Sequence, residues 1–274
     1  METLGTVVYI GTSGWQYRDW RRSFYPEDVP QREWLEFYCR HFRTLELNNS
    51  FYRLPTAAAF AGWRLRTPKG FVMAVKMSRF LTHVKKLNDP REPVERFLQR
   101  ASQLGPRLGP VLIQLPPRFE AVPVRLDQTL ALFPGSVRIA VEFRDPSWFT
   151  EEVREILERH RAAYVLADSP RRRQPYWKTA DWGYVRFHEG GATPVPCYGE
   201  DALARWAERL AELFAPDQDV FAYFNNDHNG CAVRDAGTFE RLCRESGLKP
   251  TPVTAPVEIG AYRPPRRAAR RTSA

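Results

Sequence analysis

The stretch RIAVEFRDPSWFTEEVREILERHRAAYVLAD, residues 138–168, reads as one complete structural unit. Arg138–Phe143 is a short β-branched and aromatic run. Thr150 stands as an N-cap before the amphipathic EEVREIL, and Ala163–Asp168 is a second strand run. Two strands joined by a helix of this length run parallel, because the crossover must return the chain to the same end of the sheet. Working outward, the unit recurs. Further strand runs are read at Val7–Gly11, Thr44–Asn48, Phe71–Lys76, Val111–Leu115, Tyr184–His188 and Val220–Asn225, which makes eight. Helical segments are read over 31–42, 56–66, 93–104, 126–133, 151–160, 200–214 and 236–246. The sixth unit is irregular: SPRRRQPYWKTADWG (169–183) leaves no room for a proper helix.

Eight alternations predict an α/β fold, a single (β/α)8 TIM-like barrel occupying residues 1–250. An open doubly wound sheet would carry G-x-G-x-x-G after its first strand, and GTSGW (11–15) is not that motif. Residues 251–274 are Pro-, Ala- and Arg-rich without periodicity and are expected to form a disordered basic tail. The net charge of +9 invites a nucleic-acid reading. Five arginines and no acid fall after residue 260, however, so the rest of the chain carries only +4. No apolar run is long enough to span a membrane, and the start lacks a secretory pattern, so a cytoplasmic protein without a membrane partner is expected. Cys39, Cys197, Cys231 and Cys243 stand far apart without metal-finger spacing, and reduced, mostly buried thiols are expected.

In a barrel, alternate strand residues point inward and chemistry gathers at the strands' carboxyl ends. Glu46 and Asn48 share a face of the second strand, Glu142 and Arg144 of the fifth, and Arg186 and His188 of the seventh. Lys76, Gln114, Asp168 and Asn225 close the third, fourth, sixth and eighth strands. Such groups are costly to bury without partners, so the ring is either a satisfied polar network or an active site.

Read in order, GTSGWQYRDW (11–20), ELNNSFYRLP (46–55), FVMAVKMSRFLTH (71–83), GPVLIQLPP (109–117), VEFRDPSW (141–148), ADS (167–169), YVRFH (184–188) and YFNNDHNGCAV (223–233) resemble the successive motifs of the YecE-like family, also called domain of unknown function 72. The resemblance runs from about Val7 to Glu245. It implies a TIM-barrel fold and a likeness of shape to endonuclease IV and sugar-isomerase barrels, but no particular activity. EGGATPVPCYG (189–199) departs from the family pattern, in which a Gly directly follows the His and an Arg-Tyr pair comes later. Ligand contacts from the seventh loop are therefore not carried over.

The residues themselves suggest an enzyme of hydrolase or lyase/isomerase type that binds a small phosphate- or carboxylate-bearing ligand in the barrel mouth. Glu142 is the candidate general base and His188 the acid–base group suited to neutral pH. Lys76 would stabilise negative charge or, as the lesser reading, form a Schiff base. Arg144 and Arg186 would clamp the anion, with Glu46, Asn48, Gln114, Asp168 and Asn225 as orienting groups. Trp15, Tyr17, Trp20, Phe51, Tyr52 and Trp148 follow strand ends and could wall the pocket, while Ser13 is a candidate donor and His83 and His228 lie in loops above the mouth. No cofactor or metal is expected. A divalent ion is the weaker alternative, since the interleaved Lys and Arg compete for the carboxylates. Two other readings are a nucleic-acid-binding or repair protein using Arg171–Arg173 and the tail, and a binding protein without catalysis. Oligomeric state is not legible.

Overall fold

The computed structural model describes residues 6–170 and 174–254. Its strands are β1 (Val7–Thr12), β2 (Thr44–Leu47), β3 (Val72–Lys76), β4 (Leu108–Gln114), β5 (Ile139–Glu142), β6 (Ala163–Asp168), β7 (Gly183–Phe187), β8 (Val220–Phe224) and the two-residue β9 (Lys249–Pro250). The helices are α1 (Trp34–His41), α2 (Asn49–Tyr52), α3 (Ala57–Arg66), α4 (Arg91–Ala101), α5 (Pro123–Leu130), α6 (Glu151–Arg159), α7 (Glu200–Leu213) and α8 (Cys231–Glu245). Thr150 caps α6 by accepting from Val153 N, as its place before EEVREIL predicts. Among the described residues, no α-helix joins β6 to β7. The last helix starts at Cys231, one turn earlier than its periodicity suggested.

All strands pair in parallel, in the order β2-β3-β4-β5-β6-β7-β8-β1-β9. The result is a curled sheet with helices, not the closed eight-stranded barrel expected, because no hydrogen-bonded ladder joins β1 to β2. Other groups satisfy the facing edge of β1. Along its first half, Lys249 N donates to Thr6 O and Thr251 N to Val8 O, while Ile10 N donates to Thr251 Oγ1. Higher up, the buried Tyr38 hydroxyl accepts from Thr12 N (3.0 Å) and donates to Thr44 O (3.1 Å), so a phenol from α1 bridges the two strands. The strands still approach closely there: a Cβ on Gly11 would lie 2.5 Å from Thr44 O. Residues 251–254 therefore run along the sheet, and Thr254 N bonds to His41 O. The remainder of the expected tail, 255–274, and Arg171–Arg173 lie outside the described residues.

Two apolar layers follow from strand alternation. One lies between strands and helices. The other fills the sheet's concave interior with Ala74, Leu112, Ala140, Ala163, Val165, Ala167, Tyr184, Phe221 and Tyr223. Above this dry plug, toward the carboxyl ends, the inward residues turn polar. Among the described residues no helix is long and apolar enough to cross a membrane.

The expectation of four reduced thiols fails for two of them. Cys197, before α7, and Cys231, which opens α8, are 34 residues apart in sequence but form a disulfide, while Cys39 and Cys243 are free and buried. The β7–α7 loop folds back across the β8–α8 turn, where Asn226 Nδ2 bonds to Pro196 O and to Asp235 Oδ2, and this brings the two sulfurs together. Sequence spacing carried no sign of it.

Two stability outcomes follow. Tyr38→Phe leaves the buried Thr12 N–H and Thr44 carbonyl without their bridge, and denaturant unfolding should show a loss of about 2–3 kcal/mol. Cys231→Ala opens the 34-residue loop in the unfolded chain, with an expected loss of about 3–4 kcal/mol by loop-closure entropy. Added reductant should lower the wild-type Tm and leave that variant's unchanged.

Candidate functional site

The polar layer is built around Arg186. Strand alternation in YVRFH points Tyr184, Arg186 and His188 inward at rising heights, and Arg186 is 1% exposed. Its Nη1 donates to Glu142 Oε2 at 2.6 Å and its Nη2 to Glu46 Oε1 at 2.7 Å. Glu46 also accepts from Ser13 Oγ and Tyr184 OH, both at 2.7 Å. Burial raises the pKa of both carboxyls, but Arg186 outweighs it. Glu46 is held below the ordinary carboxylate range, and Glu142 well below it with His188 and Arg144 assisting. Both carboxylates are thus committed acceptors. A carboxylate so strongly stabilised by cations is a poor base, which weighs against Glu142 in the expected general-base role. Arg186, saturated by two carboxylates, is likewise not an open anion clamp.

The other cations are placed differently. Arg144 Nε donates to Glu142 Oε1 at 2.9 Å, and its Nη2 reaches Gln114 Oε1 at 3.2 Å. Lys76 Nζ donates to the same Gln114 oxygen at 2.7 Å and sits 4.3 Å from the centre of the Phe51 ring. The two cations therefore lie within about 6 Å of each other. Among the described residues, no carboxylate oxygen comes within 4 Å of Lys76 Nζ. Burial first, then Arg186 and Arg144, pull its pKa down to about 8, against the opposing pull of the Glu142 and Glu46 charges. His83 stands edge-on to Phe51 at 4.8 Å, and burial with the Lys76, Arg144 and Arg79 charges depresses it to about 4. Three cations thus share this layer with two carboxylates.

His188 lies beside them. Its Nδ1 is 3.1 Å from Asn225 Nδ2, so with the amide as donor the neutral ring carries its proton on Nε2. That nitrogen faces Glu142 Oε1 at 3.4 Å, a long and weak contact. Burial lowers the His188 pKa, with Arg186 and Arg144 adding to it, so the imidazole is neutral near pH 7. Asn48 donates to Ser13 O at 3.2 Å, and its buried Oδ1 lacks a partner. The Tyr17 hydroxyl caps the same Ser13 carbonyl. Arg144, His188 and Asn225 line a cavity of about 670 Å³ together with Pro196 and Asn226–Asn229, a size suited to a small molecule. His228 is also on its wall.

Several expected members lie elsewhere. Asp168 has the opposite parity to the inward Ala167, so it faces α7, where hydrogen bonds from Tyr198 and Trp206 partly offset a burial-raised pKa. Trp148 is fully buried behind β5, stacked on Phe143 with its indole N–H on Phe119 O. Trp15 is buried edge-on against Trp63 of α3. Both pack the rim and wall no pocket, because indoles at strand ends reach back over the helices. Tyr52 is 74% exposed and projects to solvent. Tyr184 was missed, although the alternation that singled out Arg186 and His188 includes it. Among the described residues, no group of three His, Cys, Asp or Glu side chains is arranged to hold a metal ion.

Fold and site together define an α/β protein with a TIM-like curled sheet and a cation-rich polar mouth. The profile of the family described as protein of unknown function DUF72 matches residues 9–257, and the chain belongs to that family. It is 27% identical to the UPF0759 protein YunF of Bacillus subtilis over 279 residues, covering 89% of this chain and 98% of that protein. It is 32% identical to the UPF0759 protein YecE of Escherichia coli K12 over 147 residues, about half of each chain. Among solved structures, a DUF72 family protein of Thermotoga maritima superposes with a TM-score of 0.77 at 31% identity, covering 87% of this chain and 99% of the other. One from Enterococcus faecalis, at 18% identity and TM-score 0.73 over 88% of this chain and 99% of its own, shares the fold.

Arg186→Met should strand two buried carboxylates and cost about 3–5 kcal/mol in denaturant unfolding. A loss below 1 kcal/mol would mean that the cluster is open to water.

Proposed function

We propose that this protein is an enzyme whose TIM-like mouth binds a small phosphate- or carboxylate-bearing molecule between Lys76 and Arg144, with His188 as the proton-transfer group. One observation carries the reading. A buried lysine ammonium stands beside two arginines with an amide oxygen and an aromatic face for company, while the neighbouring carboxylates are engaged by Arg186. Such a charge is uncompensated, and an incoming anion supplies what the protein withholds. Arg144 connects the two parts, lining the 670 Å³ cavity on one side and sharing Gln114 with Lys76 on the other. His188, on the cavity wall with Nε2 held only loosely by Glu142 Oε1 at 3.4 Å, is the candidate proton-transfer group for a ligand held there. Glu46 and Glu142 orient and neutralise, and Asn48 Oδ1 is a free acceptor for a ligand hydroxyl. The reading favours proton-transfer or hydrolytic chemistry in the cytoplasm. The nucleic-acid alternative draws on arginines outside the described residues, and nothing at the mouth favours it.

Inorganic sulfate tests the reading, since its charge is constant across the relevant pH range. Lys76 is charged below about 8 and neutral above. Sulfate affinity by calorimetry should therefore fall as pH rises through that value, by roughly 10–100-fold for loss of one charged hydrogen bond. Lys76→Met should bind weakly throughout and show no such step. A flat wild-type profile, or no sulfate binding, overturns the reading.

The same shift affects stability. The folded protein releases the Lys76 proton at lower pH than the unfolded chain, so between about 8 and 10.5 the unfolded state holds more protons. Unfolding free energy should rise with pH across that window in wild type relative to Lys76→Met, as measured by denaturant titration.

A further inference from the structure

We propose that Lys76 is a Schiff-base nucleophile and that the ligand of this mouth is a carbonyl compound carrying a carboxylate or phosphate. The proposal rests on the anion-binding reading above and names its substrate class.

The chain is poor in lysine: six lysines stand against 35 arginines. The cationic partners of the buried carboxylates in this layer are arginines, Arg144 and Arg186. At the end of β3 the sequence uses the one side chain whose nitrogen can become an uncharged amine and form a C=N bond. Lys76 is also the only one of the six that is buried, with 9% of its surface open; Lys69, Lys86, Lys178 and Lys249 are exposed and Lys85 is half-buried. Its surroundings suit a nucleophile. Phe51 covers one side and Gln114 Oε1 fixes the nitrogen, while Arg186 and Arg144 are charged neighbours and Glu46 and Glu142, themselves bonded to Arg186, make no ion pair with it. Burial and those cations bring its proton affinity close to neutral pH. Arg144, within about 6 Å, is placed to hold an anionic group attached to the same ligand.

The step balances without a further reagent. The Nζ lone pair of the neutral amine attacks the carbonyl carbon and the C=O π pair moves to oxygen, which takes a proton from solvent; the neutral His188 Nε2–H can only hydrogen-bond to this oxygen. The amine proton shifts to this oxygen, water leaves, and a protonated C=N linkage remains. One amine, one carbonyl and one proton give one iminium ion and one water. The iminium is an electron sink, so the reaction class is cleavage or formation of a C–H or C–C bond beside the former carbonyl.

Trapping with borohydride tests this on the intact wild-type protein. The probes are glyoxylate, glycolaldehyde phosphate and uncharged glycolaldehyde, with peptide mapping to compare Lys76 with the five other lysines. The expected result is labelling of Lys76 at least about tenfold faster than of any other lysine at pH near 8, as its larger uncharged fraction requires. The carboxylate or phosphate probe should exceed glycolaldehyde, and excess sulfate should protect. Preference between the two anionic probes identifies the ligand's anionic group. Lys76→Arg keeps the charge but cannot form the imine, so it should still bind sulfate and show no trapping at position 76. If wild type binds sulfate but Lys76 labels no faster than the exposed lysines, the Schiff base is overturned while the anion site stands. If Lys76 labels fast with all three aldehydes alike and sulfate gives no protection, the anionic substrate class is overturned.

Discussion

One guanidinium organises the interior. Arg186 of β7 reaches Glu46 of β2 on one side and Glu142 of β5 on the other, so two charge-assisted bonds tie three strands that are not neighbours in the sheet. Removing three charges from water is expensive, and the arrangement persists because each carboxylate also has hydrogen-bonding company, Glu46 from Ser13 and Tyr184 and Glu142 from Arg144. Once this cluster forms, the height of the polar layer is set, and so is which groups remain available above it.

That commitment divides the strand-end residues by role. Glu142, an acid–base candidate in the sequence, and Glu46 are held ionised by Arg186, while Lys76 and Arg144 share the side-chain oxygen of Gln114. Below lies an apolar plug rich in alanine, and beside it the β8–α8 turn is pinned to the β7–α7 loop by Asn226, Asp235 and the Cys197–Cys231 disulfide. The cavity wall is thus anchored on both sides.

Alternation made much of this legible. Strand runs and capped helices appear close to their expected positions because period-2 and period-3.6 patterns reflect burial directly. Glu46, Lys76, Gln114, Glu142, Arg144, Arg186, His188 and Asn225 converge as their shared faces predicted. Asp168 was misplaced because parity was not counted from Ala167: one residue along a strand reverses the face. Trp15 and Trp148 were misjudged because a large ring can leave its strand end and pack over helices, a direction set by rotamer and neighbours. The disulfide and the Tyr38 bridge join residues distant in sequence, and no local pattern encodes such a meeting.

By itself the sequence determined the βα repeat, the parallel sheet, the family and the ring of polar residues at the strand ends, since each is written in local periodicity and in motif order. Only the tertiary structure decided which charges neutralise one another. It showed β1 and β2 meeting at a seam bridged by a phenol, two cysteines joined, both carboxylates committed to Arg186, and Lys76 left beside Arg144 with no acid of its own. The physical reason is that pairing depends on distance and burial in three dimensions, where a gain or loss of 1 Å decides whether a charge is compensated.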